Sequence, residues 1–174
     1  MTKHYVVIGI GNSPQCDDAV EPLAIRRAHE RLSTVCRSVD FEENYSNGFH
    51  LLDLLIDRRK AIIVDSIATG TVPPGACHVI PLGPLDGPKY MEPCTLHGFT
   101  LLSMLELGKL VGCRMPEEVL VLGVEEGELV KPGKPPNGHL SASVEGVVVR
   151  IEEILDEWLS DNTRDEPAQT AKLN

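Results

Sequence analysis

The sequence predicts an α/β fold: a three-layer αβα sandwich around a mostly parallel central sheet, in a single domain. Three observations carry this. Short continuous apolar runs of strand length occur at Tyr5-Val-Val-Ile-Gly-Ile-Gly11, Ala61-Ile-Ile-Val-Asp65 and Val119-Leu-Val-Leu-Gly-Val124. A strand that is apolar on both sides is buried on both faces, as in a parallel sheet covered by helices. Helix-like segments alternate with these runs, and the connections should be right-handed crossovers. At 174 residues the chain is long enough for one sizeable core.

Taken in order, residues 5–11 read as the first strand. Residues 18–33 read as a helix with Val20, Leu23, Ala24, Ala28 and Leu32 on one face. Residues 35–42 alternate in polarity and read as a strand near an edge. Residues 48–58 form a second helix and 60–67 a buried strand. Thr71-Val-Pro-Pro-Gly75 is a turn, and 76–82 a further strand. Residues 83–94 hold three prolines and two glycines and read as a loop. A helix is expected over 97–111, a strand over 118–125 and a Gly- and Pro-rich loop over 126–140. The last helix, 141–159, carries Val144, Val148, Ile151, Ile154, Leu155 and Trp158 as its apolar stripe. The domain is expected to span 1–160, with a polar, disordered tail over 161–174.

Composition excludes several function classes. The net charge is −10, from 26 acidic against 16 basic residues, which argues against nucleic acid or an anionic membrane as partner. No apolar run approaches the length of a membrane span. The amino terminus has no signal-peptide pattern. Five scattered cysteines, with no C-x-x-C pair, suit a reducing cytoplasm. Cys36, Cys77 and Cys113 read as small buried hydrophobes. Cys16 and Cys94 fall in loops, with no base assigned to either.

The common motifs fail in informative ways. Gly9-Ile-Gly11-Asn12-Ser13-Pro14 begins like a dinucleotide fingerprint, but Pro14 stands where the third glycine belongs, and Asp17-Asp18 would repel a pyrophosphate. There is no phosphate-loop lysine, no H-E-x-x-H and no G-x-S-x-G elbow.

What remains is Asp18, Asp65 and His97. In an open parallel sheet, ligands collect outside the carboxyl ends of the strands. Asp18 follows the first strand and Asp65 closes another, and His97 heads an apolar segment. Two carboxylates and one imidazole form an incomplete ligand set for a divalent metal, open to water or substrate. Each also has a structural reading. Asp18-Ala-Val-Glu21 has the form of a helix capping box. Asp65 could bond a neighbouring loop. With Thr95 as the cap, His97 falls in the first turn of its helix, where the protonated form is disfavoured. The histidines at 4, 29, 50, 78 and 139 read as surface or core.

These residues have a recognisable order. Ile8-Gly-Ile-Gly-Asn12 with Asp17-Asp18, Ile63-Val-Asp65-Ser66, His97-Gly-Phe-Thr-Leu-Leu and Val121-Leu-Gly-Val-Glu125 together resemble the nickel-iron hydrogenase maturation endopeptidases. The resemblance runs in register from about residue 5 to about 159. It implies a metal-dependent, aspartyl-type endopeptidase that removes the carboxy-terminal extension of a hydrogenase large-subunit precursor once nickel is inserted. It further implies that Asp18, Asp65 and His97 contact Ni²⁺ presented by the substrate, with other divalent metals able to bind in vitro. A cytoplasmic monomer with the precursor as partner is expected. Two stretches depart from the family pattern. Ala19-Val-Glu21-Pro22 stands where a glycine-containing stretch is usual, which leaves the ligand positions intact. Glu42-Glu-Asn-Tyr-Ser-Asn-Gly48 replaces a glycine-rich turn, and bears on which precursor is recognised. Two other classes compete: a small α/β hydrolase or nucleotide enzyme using the Gly9–Pro14 loop, and a nickel-checking chaperone that grips the precursor without cutting.

Overall fold

A computed structural model describes residues 4–11, 20–45, 48–82, 95–96, 99–126 and 138–165. Among these the chain runs β1 (Tyr5–Ile10), α1 (Val20–Leu32), β2 (Val39–Asn44), α2 (Gly48–Leu55), β3 (Lys60–Ile67), β4 (Cys77–Pro81), β5 (Thr95–Leu96), β6 (Phe99–Thr100), α3 (Leu101–Leu110), β7 (Glu118–Glu125) and α4 (Gly138–Asp165). The main sheet has the order β2-β1-β3-β7-β4. Its first four strands are parallel, and β4 runs antiparallel to β7. This is the predicted three-layer sandwich.

Alternation along the strands divides the core in two. Tyr5, Val7, Ile62, Val64, Leu122 and Val124 pack under α1 and α4. Val6, Ile8, Ala61, Ile63, Val119 and Val121 pack under α2 and α3. That double coverage explains why the β1 strand reads as a continuous apolar run. The chain leaves β1 through α1 to β2 on one side, and leaves β3 toward β7 on the other. The connection direction therefore reverses between β1 and β3, which makes their carboxyl ends the topological switch point. At Gly9, α1 comes close: a Cβ there would sit 2.6 Å from Cγ1 of Ile25 and 3.2 Å from the Glu21 carbonyl oxygen.

Several boundaries correct the sequence reading. The strand expected over 35–42 is β2 over Val39–Asn44, because residues 33–35 turn out of α1 and leave Val35 77% exposed. The helix expected over 48–58 stops at Leu55, where Asp57 adopts a left-handed φ of 61°. The helix expected from 97 begins at Leu101; Thr95–Leu96 and Phe99–Thr100 pair as a small antiparallel ladder ahead of it. Thr95 therefore does not cap that helix, and the argument placing His97 in its first turn fails. The last helix extends past both expected ends, and residues 161–165 continue it rather than beginning a disordered tail. The expectations for 83–94, for 166–174 and for most of 126–140 lie outside the described residues. Among the described residues no helix is long and apolar enough to cross a membrane.

Candidate functional site at the carboxyl ends of β1, β3 and β7

Asp65 lies sixth in β3, the central strand, at its carboxyl end. It is paired in register with Gly123 of β7 and follows four fully buried residues, Ala61 to Val64. It is half-buried, and one of its oxygens, Oδ1, accepts a 3.0 Å hydrogen bond from the Ser66 amide. Asp18 and His97 lie outside the described residues, as do Cys16 and Cys94. In sequence, Asp18 belongs to the segment joining β1 to α1, which departs from the switch point. His97 stands between the paired strands β5 and β6. Among the described residues, no group of three His, Cys, Asp or Glu side chains is arranged to hold a metal. Asp65 therefore stands as the described member of the expected set. A carboxylate is a donor suited to a borderline divalent ion, and one alone would need ligands from elsewhere.

Two further acids join this rim. Glu21, in the first turn of α1, is only 7% exposed. Burial, chiefly, pushes its carboxyl up from the ordinary 4.5 to about 7; a bond to its own backbone amide works against this, and the charges of Asp65 and Glu126 add to it. A carboxyl that titrates near neutrality within electrostatic reach of Asp65 has the profile of an acid–base group. The sequence reading saw Glu21 only as one half of a capping box. The available signal was an acid on the buried face of an amphipathic helix, beside Val20 and Ala24.

Glu125 closes β7 and is 3% exposed. Its carboxylate accepts from the Thr69 amide at 2.8 Å, the Thr69 hydroxyl at 2.6 Å and the Gly70 amide. The Thr69 hydroxyl, first among these donors, holds the Glu125 carboxyl below the usual range. His78 of β4 stands 3.7 Å from its Oε2. On the far side, Tyr45 packs against Gly11 and donates to Glu43, which Arg26 grips through two bonds of 2.9 and 3.0 Å.

Of the cysteines, Cys36 is buried as expected, while Cys77 and Cys113 are half-buried. Burial raises the Cys77 thiol to about 11 and the Cys36 thiol in the same direction, so neither is a ready nucleophile at neutral pH. His29 stacks on Phe41 and is exposed.

The architecture defines a class: an αβα sandwich with acids at the switch point of its parallel sheet. It is the fold of solved hydrogenase maturation proteases. The hydrogenase maturating endopeptidase HybD from E. coli superposes with a TM-score of 0.59 at 20% identity, over 88% of this chain and 93% of that one. The [NiFe] hydrogenase maturation protease HycI from Thermococcus kodakarensis KOD1 gives 0.59 at 21% identity, with the same coverage of 88% and 93%. An endopeptidase from Escherichia coli solved in solution gives 0.64 at 20% identity, again over 88% and 93%. No family model matches the chain, and no curated protein matches it by sequence.

Proposed function

We propose that this protein is an endopeptidase that removes the carboxy-terminal extension of a nickel-iron hydrogenase large-subunit precursor after nickel insertion. The observation that carries the reading is the position of Asp65. It lies near the carboxyl end of the central strand, at the switch point, in a fold shared with hydrogenase maturation proteases. The order of the Asp18, Asp65 and His97 motifs along the chain supports it independently.

On this reading the nickel arrives as part of the substrate, already held by the precursor. Asp18, Asp65 and His97 complete its coordination and so bring the scissile bond to the rim. Mixed oxygen and nitrogen donors suit a borderline divalent ion. The ion polarises the scissile carbonyl or acidifies a water. Hydrolysis adds hydroxide to the carbonyl carbon and a proton to the leaving amine, leaving a new carboxyl terminus and a free peptide. Carboxylates at the rim are the groups available to move that proton. The protein works as a cytoplasmic monomer on this one partner, and other divalent metals are able to bind it in vitro.

The test is the intact mass of a nickel-loaded precursor incubated with the protein. Loss of the carboxy-terminal extension is the expected result. A precursor that is bound but stays whole would instead favour a nickel-checking chaperone. Tight binding of a nucleotide would favour the Gly9–Pro14 loop as a different enzyme site.

A further inference from the structure

Parallel strands fray from their ends, and Asp65 sits two residues inside the last paired position of β3. That last pair is Ile67 with Glu125. Beyond it the chain turns through 68–71, with Gly70 at a left-handed φ of 65°. The ladder closes with the Glu126 amide donating to the Ile67 carbonyl at 2.7 Å. The Glu125 carboxylate then reaches past that closure. Oε1 collects the backbone amides of Thr69 and Gly70, and Oε2 takes the Thr69 hydroxyl at 2.6 Å. The Thr69 hydroxyl lies 2.7 Å from that of Thr71, which extends the fixed stretch. The backbone of Glu125 also secures the approach to β4. Its carbonyl accepts from Gly75 at 2.9 Å, and its amide donates to Ala76 at 2.9 Å.

Burying a carboxylate is costly unless donors replace the lost water. An apolar side chain in this space would leave the Thr69 and Gly70 amides and the Thr69 hydroxyl without this acceptor. What a carboxylate offers is two acceptors aimed at three donors of one loop, and that fixes backbone. The loop so fixed is the direct continuation of β3, the strand that carries Asp65 two residues before its end.

We infer that Glu125 is a positioning residue of the hydrolytic site: it clamps the Thr69–Gly70 turn and thereby holds the end of β3, with Asp65, in working geometry. This role rests on the endopeptidase reading above and extends it to a residue that does not touch the reacting atoms.

The experiment uses the full chain and a nickel-loaded hydrogenase large-subunit precursor as the probe. Wild type, Glu125→Ala and Glu125→Gln are compared below their melting transitions, with rates corrected for the folded fraction by circular dichroism. Misplacing a ligand costs catalysis more than it costs precursor binding. Glu125→Ala should therefore lower kcat by about tenfold or more, with KM within about twofold of wild type. In Glu125→Gln the amide oxygen still accepts both backbone amides, and its NH₂ can donate to the Thr69 hydroxyl. It should restore kcat to within about threefold of wild type. A folded Glu125→Ala that cuts at the wild-type rate overturns the role, as does a Glu125→Gln that is just as slow as Glu125→Ala. If Glu125→Ala does not fold, Thr69→Val carries the test. Loss of one bond should slow kcat by about threefold at unchanged KM, and a wild-type rate overturns the role. A wild-type chain that leaves the precursor whole overturns the endopeptidase reading together with this role. A wild-type chain that cuts lets the variants judge Glu125 alone.

Discussion

The two rims of the sheet treat charge in opposite ways. At the amino ends of the strands, acids face cations. Lys60 pairs with Glu118 at 2.7 Å and lies 5.0 Å over the ring of Trp158; Arg58 pairs with Asp40 at 2.6 Å, and Arg59 with Glu117 at 3.6 Å. At the carboxyl ends of the central strands, acids are held by fixed backbone dipoles. Asp65 accepts from Ser66, Glu21 from its own amide, and Glu125 from Thr69 and Gly70. Glu43, on the edge strand, uses an arginine. A carboxylate neutralised by a lysine is a poor partner for a metal or a substrate. One oriented by backbone amides, as Glu125 is, is fixed in direction. On the endopeptidase reading proposed above, the amino rim serves stability and the carboxyl rim serves chemistry.

The sharpest way to break this comparison is to remove one of the proposed nickel ligands. Asp65→Ala, and likewise Asp18→Ala and His97→Ala, should lower processing of the nickel-loaded precursor by at least about a hundredfold. The melting temperature should fall little, because Asp65 is half-buried and not part of the apolar core. Precursor mass spectra and thermal melts read the two effects. Activity retained alongside lost stability would make Asp65 a structural residue.

Next in size is Glu21. Its folded pKa of about 7 lies above the ordinary 4.5, so the folded state favours the protonated carboxyl. That contribution is fully present below about pH 4.5 and is lost as pH rises through about 7. Glu21→Gln stays neutral throughout. It should therefore gain on the order of 3 kcal/mol over wild type at about pH 8, and close to nothing at about pH 4. Denaturant titrations with a chelator present measure this. The same offset at both pH values would show that the carboxyl does not titrate in that window.

Packing beneath the site comes third. Gly9→Ala places a methyl 2.6 Å from Ile25, and should cost about 1–3 kcal/mol by pushing α1 off β1. An unchanged denaturation midpoint would mean that α1 can shift without cost. The smallest effect belongs to the amino rim. Glu118 is 40% exposed, so Glu118→Ala should cost about 1 kcal/mol or less and leave processing untouched. A large loss of processing there would erase the distinction between the rims.

Much of this was legible in the sequence. The β3 strand and the β7 strand have the boundaries their apolar runs indicate, because residues buried on both faces leave no ambiguity of period. The edge strand β2 was misplaced because its polar alternation continues smoothly from the turn before it. The start of α3 was misread because Thr95 and Thr100 are both fair caps. At the site, Asp65 was legible as a charge ending an apolar strand. Glu125 was visible only as part of a motif, since its partners Thr69 and Gly70 are 56 and 55 residues away. Glu21 was hidden because a helix-capping pattern explains the same residue.

The central claim is that cutting depends on a metal the substrate brings. It is tested most directly by incubating nickel-loaded and metal-free forms of one hydrogenase large-subunit precursor with this protein, side by side, and weighing both by mass spectrometry. The account predicts that the nickel-loaded form loses its carboxy-terminal extension while the metal-free form stays whole. Equal trimming of both would contradict it.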